Sequence, residues 1–225
     1  MKRLSVRAVV KESWTKFKAE KEGIIFITLA FLLVVNLTKL IPEDASSLFL
    51  GIFGSVFLVI STIFSIWFIK TLLKVVDGGK PDFQYLKMVS WRIFWRYFFG
   101  SILYFIVAMI PAIVLGFFAV TSFASGLWVL AFLLGLGAVV YGVYMSLRYL
   151  LVPYVLVDDE QISIGRAFKK TAHLTDGVKW KLAQLLIISI IINIIGSIPA
   201  SIGLLISLPI SYLALLIAYR KLLKA

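Results

Sequence analysis

The chain has no cysteine, one histidine, and 11 acidic residues against 23 basic ones. The first absence excludes disulfides, thiolate metal sites and a cysteine nucleophile, and the second argues against a histidine-based metal cluster. The compact enzyme signatures are missing too. There is no Gly-x-Ser-x-Gly elbow, no glycine-rich loop closing on Lys-Ser/Thr, and no His-Glu-x-x-His. The sequence therefore points to a protein that is not an enzyme and needs no cofactor. Long polar segments are scarce as well, and that is the informative shortage.

Apolar residues make up 61% of the 225, with a mean hydropathy of +1.02, well above the roughly 45–50% of a soluble globular domain. Most of such a chain must face lipid or other lipid-buried helices. Runs long enough to cross about 30 Å of hydrocarbon fall at 23–41, 48–69, 98–120, 127–147, 180–198 and 202–219, predicting six spans. The connections 42–47, 121–126 and 196–201 are short and free of Lys and Arg, so the spans pair as three tight hairpins. With the N-terminus inside, every Lys and Arg except Lys39 falls on the cytoplasmic side. The expected location is a cell membrane, multi-pass, with both termini cytoplasmic. The formal charge of +12 sits beside the spans rather than on a soluble patch, which argues for lipid headgroups and against nucleic acid. No small-x-small cleavage site follows the first run, so it reads as a retained span and not as a signal peptide.

The inner connections carry amphipathic patterns: Val6, Val9, Val10, Trp14 and Phe17; then Phe83, Leu86, Ile93 and Tyr97; then Ile164, Ala167, Phe168 and Ala172. Each begins at a capping residue, Ser5, Asp82 or Ser163, with Ser13, Ser90 or Thr171 eight positions on. This predicts an all-α membrane domain of three repeats, about 1–79, 80–160 and 161–225, each an interfacial helix plus a two-span hairpin with pseudo-threefold symmetry. The second span of each unit carries small residues at spacings of three and four: Gly51 and Ser55; Gly135, Ala138 and Gly142; Gly203, Ser207 and Ser211. Small faces let helices approach closely in a bilayer, so the even spans are expected to meet at the axis.

The segment 146–180, SLRYLLVPYVLVDDEQISIGRAFKKTAHLTDGVKW, with Gly78–Phe83 and the closing Ala218-Tyr219-Arg220-Lys221-Leu222, resembles a prokaryotic group of uncharacterised six-span integral membrane proteins. That group is related to the membrane region accompanying glycerophosphodiester phosphodiesterase domains. The resemblance covers most of the chain, departs at Thr171, Leu174 and Asp176, and implies a fold rather than a reaction.

Candidate contacts for anionic headgroups on the cytoplasmic leaflet are Arg7, Lys11, Trp14, Lys87, Trp91, Arg92, Arg148, Lys169, Lys170 and Trp180, basic or interfacial-aromatic positions flanking the spans. Arg148 at a span end reads as a snorkelling anchor. Asp158, Asp159 and Glu160 stand just before a helix, where capping and solvation are expected rather than a metal site. Asn36 and Asn193 are expected to hydrogen-bond across helices, and Pro111 and Pro209 to kink theirs. Apart from the boundary residues Lys39 and Lys181, no charged residue lies inside a span, which disfavours an ion-coupled carrier. These features suggest a protein that binds or organises lipid or assists other membrane proteins. The alternative is a transporter or channel for a small neutral or amphiphilic solute along the Ser- and Thr-bearing faces.

Overall fold

A computed structural model of the chain describes residues 4–37, 46–198 and 202–224. These residues form ten α-helices and one 3-10 turn, with no strand among them. Helix α1 (Val6–Ala19) starts at Ser5, whose hydroxyl accepts from the Ala8 amide. It is followed by α2 (Lys21–Asn36) and by α3 (Ser47–Val76), capped by Ser46. The 3-10 turn Phe83–Met88 is opened by the Asp82 carboxylate, and α4 (Trp91–Ala108) by the Ser90 hydroxyl. Then come α5 (Ile110–Ala124), α6 (Trp128–Tyr149), the short α7 (Val152–Asp158), α8 (Ile164–Thr175), α9 (Lys179–Ser197) and α10 (Leu204–Leu223). Ser5, Asp82 and Ser163 all stand at cap positions, although Ser163 makes no side-chain cap bond. Gly126, in the left-handed region at φ 78°, closes α5 and turns the chain into α6.

Five segments are long and apolar enough to cross a membrane: Phe49–Val76, Trp91–Ala124, Trp128–Asp158, Lys179–Ser197 and Leu204–Leu223. The chain is thus a multi-pass helical membrane protein. Of the first predicted span, residues 23–36 are helical, within α2, while its C-terminal end with Lys39, the acidic pair Glu43–Asp44 and Pro42 lie outside the described residues, as does Pro199.

The pattern over 82–97 does not fold as a separate interfacial helix. After the 3-10 turn, α4 starts at Trp91 and runs straight into the third span. Ser90 is the reason: its cap on Ile93 lets a stacked aromatic row, Trp91, Phe94 and Phe98, continue unbroken into the apolar run. That span breaks once, at Met109, just before Pro111, which has no amide hydrogen to give the Val107 carbonyl. The Tyr141 hydroxyl of α6 donates to that carbonyl instead, at 2.9 Å.

Burial is concentrated in α10 and at the basic end of the helices. Within the membrane-spanning window of α10, 61% of residues are buried, against 6% for Trp91–Ala124. Helix α10 packs on α1, α9, α3 and α2. Its Leu213, Leu216 and Tyr219 form one core with Trp67, Phe68 and Leu72 of α3, Leu151 and Val155 around α7, and Ile24 and Ile27 of α2. Truncating a fully buried leucine in such a core costs about 2–5 kcal/mol. The even spans are not joined symmetrically. Helix α3 packs on α10, whereas α6 packs chiefly on α5, its own hairpin partner, with lesser contacts to α4, α8 and α9.

The small-residue stripes sort accordingly. In α10 the stripe faces α9: a Cβ on Gly203 would meet the Gly196 backbone, Ser207 is buried, and the Ser211 hydroxyl donates to Ser207 O at 2.9 Å. In α6 it faces α5, with a Cβ on Gly142 lying 3.4 Å from the Ala112 methyl and one on Gly135 3.9 Å from that of Ala119; Ala138, on the same face, is half-buried. In α3, Gly51 and Ser55 are exposed, and a Cβ on Gly51 would touch nothing among the described residues. The asparagines do not pair across helices either. The Asn36 amide donates to Leu32 O of its own helix, and Asn193 Oδ1 is buried without a hydrogen-bond partner.

Candidate functional site

Helix α1 buries Val9, Ser13 and Phe17 and leaves Arg7, Lys11 and Lys18 exposed. It is pinned to the bundle by Glu12, which pairs with Lys221 at 2.7 Å, and by Lys16, which donates to Val75 O at 3.4 Å. Fixed in this way, its half-buried Val6 and Val10, with exposed Trp14, stand opposite α9. Between the two helices runs a lateral groove of about 810 Å³, the largest of the described cavities. Val6, Val10, Trp14, Ile187 and Ile188 make its apolar walls, and Arg7, Lys11 and Gln184 supply the polar groups. Three residues singled out by sequence, Arg7, Lys11 and Trp14, therefore line one surface. The Lys18 ammonium, one turn further along α1, lies 5.1 Å from the centre of the Trp14 ring.

Other candidates are dispersed. Lys87 lies near the end of the 3-10 turn and is exposed. Trp91, 62% exposed, stacks on Phe94, and the carbonyl of Arg92 accepts from Arg96 Nε. Trp180 is 75% exposed at the start of α9. Lys170 approaches Asp159 at 4.0 Å. Arg148 and Lys169 meet in a second cavity with Tyr144, His173, Asp176 and Lys179. There the hydrogen bond from Lys179 holds the Asp176 carboxyl below its ordinary range.

The acidic run does more than cap. Asp159 does bond the Gln161 and Ile162 amides, both at 3.1 Å. Asp158, however, accepts from Arg220 at 2.7 Å and from the Tyr219 hydroxyl at 2.8 Å, while Glu160 pairs with Lys70 at 2.6 Å. Arg220 also clasps Asp77 at the end of α3 through both of its remaining nitrogens, at 2.9 and 2.6 Å. Three consecutive carboxylates that point apart therefore reach three separate cations, which is how α7 is locked to α3, α8 and α10. The sequence held no signal for these partners, nor for Gln184, Ile187 and Ile188 as the second wall of the groove. Set against protein-family models, curated proteins and solved structures, the chain matches none of them.

Proposed function

We propose that this chain is a non-enzymatic integral membrane protein that binds acidic phospholipid on the cytoplasmic leaflet, with the groove between α1 and α9 as its principal lipid seat. The observation that carries this reading is the composition of that groove: apolar walls for an acyl chain, and Arg7 and Lys11 for a headgroup phosphate. An anionic lipid complements both halves of such a groove. Gln184 offers a hydrogen bond to a glycerol ester between them.

The finer architecture belongs to the same reading. Six spans, with α2 completing the first, would put both termini on the cytoplasmic side, and the ion pairs Lys70–Glu160, Arg220–Asp158 and Lys221–Glu12 support a common basic face. The resemblance to the six-span prokaryotic group agrees with this. Helices α1 and α8 are the two interfacial elements, and the three repeats rest on the cap spacing, on the match of Trp14 and Phe17 to Trp91 and Phe94, and on the equal offsets Asn36–Pro42 and Asn193–Pro199.

The test is native mass spectrometry of the full chain after reconstitution with phosphatidylglycerol. Replacing Arg7 and Lys11 together by Gln should weaken retention of the anionic lipid by about 2 kcal/mol, roughly thirtyfold, while phosphatidylcholine retention stays unchanged. Equal retention of phosphatidylglycerol by both proteins would sink the proposal.

A further inference from the structure

The second cavity, about 450 Å³, opens where the end of α6, the polar face of α8 and the start of α9 converge. Arg148 Nη1 and Lys179 Nζ both donate to one oxygen, the Tyr144 hydroxyl, at 3.1 and 3.3 Å. Two cations are thereby held against each other on a neutral acceptor, an arrangement that is electrostatically unfavourable by itself. Lys169 adds a third positive charge, and His173 stands at the same wall. The one carboxylate of the lining, Asp176, is bonded to Lys179 at 3.4 Å, and its side chain is 76% exposed. Arg148 Nε is buried and has no hydrogen-bond partner. The backbone at Arg148 is held in place by Thr175, whose hydroxyl donates to its carbonyl at 3.0 Å.

We propose that this cavity is a phosphate-binding site, taking the phosphate group of a membrane headgroup or of a soluble phosphate ester. Phosphate fits for three reasons. Its several acceptor oxygens satisfy an Arg fork and two ammoniums at once, its charge removes the Arg148–Lys179 repulsion, and the donors come from three different helices and so surround it. The site includes Lys179, the first residue of α9 and of its membrane-spanning segment, next in sequence to Trp180. It extends the lipid-binding reading but does not depend on the α1–α9 groove, from which Lys179 is turned away by well over a quarter-turn around α9.

The full chain is placed in phosphatidylcholine nanodiscs, and its thermal midpoint is followed against inorganic phosphate, against phosphatidic acid in the disc, and against chloride at matched ionic strength. A ligand of the folded state raises the midpoint by mass action. The expected result is a rise with phosphate or phosphatidic acid over the chloride control. Arg148→Gln, Lys179→Gln or the milder surface variant Lys169→Gln should each shift the response to about tenfold higher ligand. The cavity is read in the background of the pair Arg7→Gln and Lys11→Gln, which removes the groove's share of any phosphatidic acid response; the rise that remains there should still be weakened by Lys169→Gln. A rise with phosphatidic acid alone assigns a lipid source, and a rise with inorganic phosphate assigns a soluble one. No rise with either, or a rise abolished by the Arg7 and Lys11 changes and kept in the Lys169 variant, overturns the site. Loss of phosphatidylglycerol retention with the cavity response intact would instead overturn only the groove.

Discussion

At Pro111 the membrane-spanning segment Trp91–Ala124 loses one rung of its hydrogen-bond ladder, and a single phenol replaces it. An unpaired carbonyl inside a bilayer is costly, although measured interhelical hydrogen bonds in membranes average nearer 0.6 kcal/mol than the full penalty. Tyr141→Phe keeps the ring and removes only the donor to Val107 O. The expected result is a loss of about 1 kcal/mol in unfolding free energy, measured by denaturation in mixed micelles, with the helix content of the folded state unchanged. Proline was visible in the sequence as a break, but its compensation was not, because Tyr141 stands on the next helix and nothing local marks it. The same holds for Arg220, whose two carboxylates are 143 and 62 residues away. Apolar runs and cap residues act within a few positions of themselves and so are legible. Pairings between distant elements depend on the packing that brings them together.

At the scale of elements, small residues mean different things in the three even spans. The Gly196–Gly203 approach lets the backbones of α9 and α10 touch, so any side chain there drives the helices apart. Gly203→Val should cost about 1–3 kcal/mol through overpacking, read as a lower thermal midpoint. Gly51→Val, on an exposed face, should leave the midpoint within error and so separates packing from helix propensity. If the two substitutions destabilised equally, the helix crossing would not be the cause. In the sequence the three stripes are visible as lines of small residues. The expectation that these lines meet at one axis went beyond the pattern, since a spacing of three or four specifies a line along a helix but no partner.

At the scale of the molecule, parity of the spans decides where the ends lie. Five segments are established by length and hydropathy, and completion of α2 across the bilayer would make six. Because the chain has no cysteine, single substitutions Ser5→Cys and Lys224→Cys give background-free reporters. Both should react with a membrane-impermeant maleimide from the same, cytoplasmic side of sealed vesicles. Labelling from opposite sides would mean an odd number of crossings and would leave α2 on one surface.

The hairpin of α5 and α6 is bound to itself more than to anything else, and it joins the bundle through α4 at the proline break and through the inner end of α6. In mechanical terms, the molecule is a stiff block with one hinged arm. The block is set by buried aromatics and ion pairs, while the arm meets it through the break before α5, the Tyr141–Val107 hydrogen bond and the packing of α6 on α4, α8 and α9. A bilayer thinner or thicker than the arm's apolar length is then met by rotation at that joint, at a fraction of a kcal/mol per ångström of mismatch, before the ion-paired end has to tilt.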